Sequence, residues 1–174
     1  MNIYGVTGWK NTGKTGLMER LVAEFTARGL TVSTLKHAHH ATEIDHPGRD
    51  SYRHREAGAQ EVIVASPRRW ALMHELRGAA EPPLDALLAH LSPVDLVLIE
   101  GYKRSPHPKI EAHRLEAGQP LLARDNASIR AVASSAPPGD AMLAGLGVPV
   151  LALDDTVAIA DFILRDLGLA GPAR

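Results

Sequence analysis

A chain of 174 residues, 45% of them apolar, is long enough to bury a core as one domain without a disulfide or structural metal to hold it. It contains no cysteine, which excludes a disulfide framework, thiolate metal sites and thiol catalysis. A formal net charge of −1 gives no general electrostatic reason to bind nucleic acid or an acidic membrane surface, and no apolar run approaches membrane-spanning length. The expectation is a cytoplasmic protein of one domain, residues 1–174, with neither nucleic acid nor membrane as partner.

Residues 3–7 are rich in β-branched and aromatic side chains and stop at Gly8, as a buried strand before a turn does. From 14 to 28, Leu17, Met18, Leu21, Val22 and Phe25 follow helical spacing, with Gly29 placed for a left-handed cap. Residues 31–35 read as a second strand, which makes the opening a βαβ unit with a right-handed crossover. Residues 36 to about 49 form a polar loop loaded with histidine, proline and glycine, too long for a simple connection. Asp50, Arg53 and Arg55 begin a helix, and 61–65 and 70–74 read as a hairpin around Ser66, Pro67 and two arginines.

A helix carrying Leu84, Leu87, Leu88 and Leu91 must stop near Pro93, and the apolar run 96–99 suits a central parallel strand covered on both faces. Further strands are expected at 109–113, 129–133 and 148–151. Asp155 is placed to cap a last helix with Val157, Ile159, Ala160, Ile163, Leu164 and Leu167 at helical spacing. Strands and helices alternate, so the fold class is α/β, a mostly parallel sheet flanked by helices with an additional small β-hairpin region, and the segment GWKNTGKT at 8–15, between the first strand and the first helix, makes it P-loop NTPase-like.

Residues 8–15 read GWKNTGKT, a complete match to glycine, four free positions, glycine, lysine and serine or threonine. The match lies between a predicted strand and a predicted helix, where backbone N–H groups and the helix dipole point at a bound phosphate. Gly8 and Gly13 let the backbone curl around the anion, and Lys14 reaches the β- and γ-phosphates. Thr15 places its hydroxyl on Mg²⁺. Asn11, Thr12, Gly13, Lys14 and Thr15 offer their amides, and Gly16 completes the set. Lys10 either reaches phosphate of the same or a neighbouring subunit or is an exposed lysine.

Magnesium bound to a triphosphate needs a carboxylate at the end of a neighbouring apolar strand. The run VDLVLIEG at 94–101 supplies Glu100, and Gly101 lets the backbone approach the γ-phosphate. Asp95, at the other end, points to the far side of the sheet. Lys36 and Asp45 follow the second strand and so fall on the nucleotide side, for phosphate and Mg²⁺ respectively; a solvated polar loop is an equal alternative. His37, His39 and His40 invite a zinc reading, but their spacing is looser than that of zinc ligands.

Together GWKNTGKT at 8–15, LKHAHH at 35–40, DHPGRDSYRHREAGA at 45–59, VIVASPRRWALMHE at 62–75, DLVLIEGYK at 95–103, PKIEAHR at 108–114 and AVASS at 131–135 resemble the MobB family nearly end to end. These are adapters of molybdopterin-guanine dinucleotide biosynthesis. The resemblance implies a homodimeric GTP-binding protein with weak intrinsic hydrolysis that assists the molybdopterin guanylyltransferase, with molybdopterin as a further candidate ligand. It places the GTP phosphates on residues 8–15 and makes Glu100 and Gly101 the family's acidic strand end and following glycine. Lys36, Asp45 and the histidines fall in its second recurrent segment. Where the family tends to have serine followed by aspartate, this chain has Ser134 and Ser135, and it lacks an NKxD guanine signature. GTP over ATP therefore rests on the resemblance. Two other functions fit the same loop: a small-molecule kinase in which Arg53, Arg68 or Arg69 closes on the transferred phosphoryl group, and a metal-delivery GTPase using the histidine loop.

Overall fold

A computed structural model describes residues 1–38 and 44–169. In chain order the elements are β1 (Asn2–Thr7), α1 (Lys14–Ala27), β2 (Val32–Lys36), α2 (Asp50–Glu56), β3 (Glu61–Ala65), β4 (Trp70–His74), α3 (Leu84–Leu88), β5 (Leu96–Glu100), β6 (Lys109–His113), β7 (Ile129–Ser134), β8 (Val150–Ala152) and α4 (Thr156–Asp166). They fall into two compact units, Met1–His37 with Pro93–Arg174, and Ala38–Ser92. Helix α3 is shorter than its leucine pattern suggests. Beyond Leu88 its hydrogen bonds tighten from i→i+4 to i→i+3, His90 N donating to Leu87 and Leu91 N to Leu88.

The first unit is built on a six-stranded sheet of order β2-β5-β1-β6-β7-β8, parallel at every pairing. Side chains alternate across a strand, so Tyr4, Val6, Leu96, Leu98, Ile110, Ala112, Ala131 and Ala133 share one face. There they pack with Leu17, Leu21 and Phe25 of α1 and Ile159, Ala160 and Ile163 of α4. Arg28 donates to Asp161 at 2.6 Å and ties the two helices together. Asp155 caps α4 as expected, accepting from Ala158 N at 2.9 Å. The second unit contains the antiparallel hairpin, paired from Glu61 and His74 to Ala65 and Trp70.

The opposite face of β6 carries Lys109, Glu111 and His113, all buried. Lys109 and Glu111 anchor connecting chain where a helix would ordinarily cover a parallel sheet. The Lys109 ammonium donates to the carbonyls of Ser105 and His107 and to Ser128 Oγ. Burial lowers its pKa to about 8, and below that value it has three N–H groups for these three acceptors. Glu111 accepts from the amides of Leu122 and Ala123, both at 2.9 Å, and burial raises its pKa. His113 meets Ser134 Oγ at 2.9 Å.

The connection from β5 to β6 crosses β1 at Gly5. A Cβ there would stand 2.7 Å from both His107 Nε2 and Lys109 Cβ, so only glycine fits. His107 is buried with neither ring nitrogen hydrogen-bonded to a described residue. Burial first, and the neighbouring Lys109 charge second, lower its pKa to about 4. In the unfolded chain the imidazole titrates near 6.5. Between these values the unfolded state takes up a proton that the folded state refuses, so stability falls as pH falls through this window. Denaturant titrations at pH 7 and pH 4.5 should differ by about 2–3 kcal/mol on this account, and His107→Leu should lose that share of the difference. Identical acid dependence in the two proteins would contradict it; His113, also lowered by burial, remains as a background in both.

Candidate nucleotide site

The loop between β1 and α1 takes left-handed or glycine-only backbone at three points: Gly8 at φ 141°, Asn11 at 65° and Gly13 at 91°. Thr12 is buried and donates its hydroxyl to the Trp9 carbonyl at 2.9 Å, which closes the loop on itself. Trp9 is pinned by its indole N–H to Pro120 O at 2.8 Å. Helix α1 starts at Gly13 without a side-chain cap, so its first amides are left to an external acceptor at the positive end of the helix dipole. An open cleft of about 400 Å³ lies there, lined by Asn11, Gly13, Lys14, Thr15, Gly16 and Arg114. Lys10 is exposed, as is the Thr15 side of the helix start.

Strand order brings the expected partner strand alongside. Glu100 stands in register with Val6 on one side and Lys36 on the other. Its side chain is 12% exposed, and Lys36 Nζ lies 3.5 Å from Oε1. Gly101 N donates to Val6 O at 3.1 Å, at φ 98°, and a Cβ there would meet His37 Cβ at 3.1 Å. His37 itself packs against Tyr102, ring centres 4.6 Å apart. Lys103 stands 4.0 Å over the Trp9 ring, a cation–π contact that brings a further cation to the loop. The Lys14 ammonium donates to the Trp9 carbonyl. Its pKa is lowered, chiefly by burial, with Lys103 and Lys36 adding to the effect and Glu100 opposing it. Three ammonium groups and one carboxylate thus act on one another here, an arrangement suited to an anion and its metal. Asp95, as expected, is elsewhere: it accepts from Thr31 N and Oγ1 and pins the start of β2 to β5.

In the second unit Asp45 has local partners. It accepts from Ser51 Oγ at 3.0 Å, and Arg55 Nε lies 3.6 Å from its other oxygen. Arg55 also pairs with Glu75 at 2.6 Å. The backbone amides of Arg68 and Arg69, at the β3–β4 turn, are held by Ser66 Oγ, and Gln60 donates to Glu75 O. His39 and His40 lie outside the described residues; among the described residues no group of three candidate ligands could hold a metal ion. The residue not anticipated at the cleft is Arg114, the last of the PKIEAHR run, brought there by the end of β6. Among the described residues no helix is long and apolar enough to cross a membrane.

A family described as "Molybdopterin guanine dinucleotide synthesis protein B", MobB, matches residues 3–135. A Haemophilus influenzae molybdopterin-guanine dinucleotide biosynthesis adapter protein is 42% identical over 135 residues, 78% of this chain and 75% of that one. The Escherichia coli protein of the same description is 39% identical over 166 residues, 94% and 91% of the two chains. Among solved structures, Bacillus subtilis MobB is similar at a TM-score of 0.76 and 28% identity, over 98% of this chain and 99% of that one. A MobB homolog from Bacillus stearothermophilus is similar at 0.71 and 31%, over 97% and 99%. With the family pattern running through both the phosphate loop and the Glu100 strand, and the fold shared over nearly the whole length, the chain belongs to the MobB family.

Proposed function

We propose that the chain binds GTP with Mg²⁺ at residues 8–15 and serves as an adapter in molybdopterin-guanine dinucleotide biosynthesis, assisting the molybdopterin guanylyltransferase, with weak intrinsic hydrolysis. The observation that carries the nucleotide part is the uncapped start of α1 behind a glycine-turned loop, with Lys14, Lys36 and Lys103 gathered around it and Glu100 facing them. The donor set fits magnesium, a hard cation that takes oxygen ligands: Thr15 offers a hydroxyl and Glu100 a carboxylate. A bound Mg²⁺ would supply charge neutralisation at the phosphates. The chain's own residues do the rest: Lys14 holds the phosphates, Lys36 pairs with Glu100 and sets its orientation, and the Gly101 backbone leaves the approach clear.

The adapter role is supported by the description shared by the Haemophilus influenzae and Escherichia coli relatives. A homodimer is supported by the hairpin, which exposes Ile63, Val64, Trp70 and Leu72, more apolar surface than a two-stranded sheet carries comfortably in water. Calorimetric titration with GTP and ATP, each with and without Mg²⁺, tests the reading. GTP is expected to bind more tightly than ATP by about tenfold or more, a difference of roughly 1.4 kcal/mol, and only with Mg²⁺ at full strength. No heat with either nucleotide sinks the site, equal affinities sink the base assignment, and a single-chain mass by light scattering removes the dimer.

A further inference from the structure

We propose that Arg114 binds the nucleotide on the side of the loop away from Glu100, pairing with the α-phosphate and so fixing the direction in which the nucleoside runs. This rests on the nucleotide reading above. The strand order divides the surroundings of the loop. On one side of β1 lie β5 and β2, with Glu100, Gly101 and Lys36; on the other lie β6, β7 and β8. A carboxylate serving the metal, with a glycine beside it, marks the γ-phosphate end, so the nucleoside end runs toward β6. Arg114 is the first residue beyond that strand.

Its side chain reaches the loop. A Cβ added at Gly13 would stand 3.0 Å from Arg114 Nε and 3.6 Å from Nη2, and Arg114 lines the same cleft as Asn11, Lys14 and Thr15. The chain on either side holds it there. His113 is fixed to Ser134 Oγ, Ser135 N donates to His113 O, and Leu115 N donates to Ser135 Oγ. Three other arginines of this unit are engaged: Arg20 with Thr156 and Leu153 O, Arg28 with Glu24 and Asp161, Arg124 with Met142 O. The half-buried Arg114 guanidinium makes no hydrogen bond or ion pair with any described residue. A planar fork of donors beside an uncapped helix start is suited to phosphate oxygens. Beyond it, at the ends of β7 and β8, lies a cleft of about 390 Å³ lined by Ser134, Ala136, Asp140, Leu151 and Ala152. At about 4.8 Å per strand it is roughly 10–14 Å from β1, the reach of a ribose and base from a phosphate held on the loop.

The test compares GTP and GDP binding by calorimetry for the wild-type protein, Arg114→Ala and Arg114→Lys. Arg114→Ala is expected to weaken GTP and GDP by the same factor, about 10- to 100-fold, with Arg114→Lys intermediate for both and melting temperatures unchanged. A loss confined to GTP, with GDP affinity intact, would place the guanidinium at the γ-phosphate and overturn the assignment. Unchanged affinity for both nucleotides would overturn it as well. If Arg114→Ala fails to fold, Arg114→Lys, which keeps the charge and the stem but loses the fork, reads out the same comparison. Wild-type protein that binds neither nucleotide removes the underlying reading instead, and so separates that failure from this one.

Discussion

Replacing Lys14 by alanine is expected to lower GTP affinity by at least about 100-fold while leaving the melting temperature nearly unchanged. A charge-assisted hydrogen bond contributes about 1.5–3 kcal/mol, and an ammonium reaching both the β- and γ-phosphates makes two, or a factor of roughly 10² to 10⁴ in affinity. Burial together with Lys36 and Lys103 already lowers the pKa of this group, so part of the cost of concentrating positive charge is present before any anion arrives. A bound triphosphate relieves that repulsion, which makes the lysine more valuable to the complex than to the free fold. The fold itself loses little. Helix α1 is held by Leu17, Met18, Leu21 and Phe25, and Lys14 belongs to none of that packing. GTP affinity within about threefold of wild type would remove Lys14 from the phosphate site.

The parts of this architecture legible in the sequence are those set by neighbours in the chain. The βαβ opening, the hairpin strands Glu61–Ala65 and Trp70–His74 and the Asp155 cap all follow from local spacing and turn chemistry. What sequence spacing does not encode is strand order. That β5 lies between β1 and β2 is what sets Glu100 3.5 Å from Lys36. That β6 lies on the other side of β1 is what delivers Arg114 to Gly13. Residues 109–113 read as a strand, but the sequence does not show that Lys109 and Glu111 are buried, because the connections flanking β6 carry carbonyls and amides that need those side chains as partners. Asp45, a Mg²⁺ candidate by its position after β2, has Ser51 and Arg55 as immediate partners.

The fold, in turn, depends on the phosphate loop at Gly8, where substitution by alanine should be far more damaging than at the neighbouring Gly16. Gly8 has φ 141°, a conformation open essentially to glycine, and a Cβ there would stand 2.4 Å from the Ala112 carbonyl and 2.7 Å from Thr12 Oγ1. Neither neighbour can yield cheaply. Ala112 is mid-strand in β6, beside the Thr7–Glu111 pairing, and the Thr12 hydroxyl closes the loop onto Trp9. Strain and overpacking together should cost about 2–5 kcal/mol, out of the 5–15 kcal/mol typical of a domain. For a chain of this length that is a fall of roughly 5–15 °C in melting temperature. At Gly16 a Cβ meets only Arg20 Nη1 at 3.7 Å, within a helix where alanine is preferred, so Gly16→Ala should melt at or slightly above wild type. Differential scanning calorimetry of the two variants decides the matter. A Gly8→Ala protein melting within about 2 °C of wild type would mean that the loop does not press against β6, and the cradle for phosphate would lose the backbone geometry on which it depends.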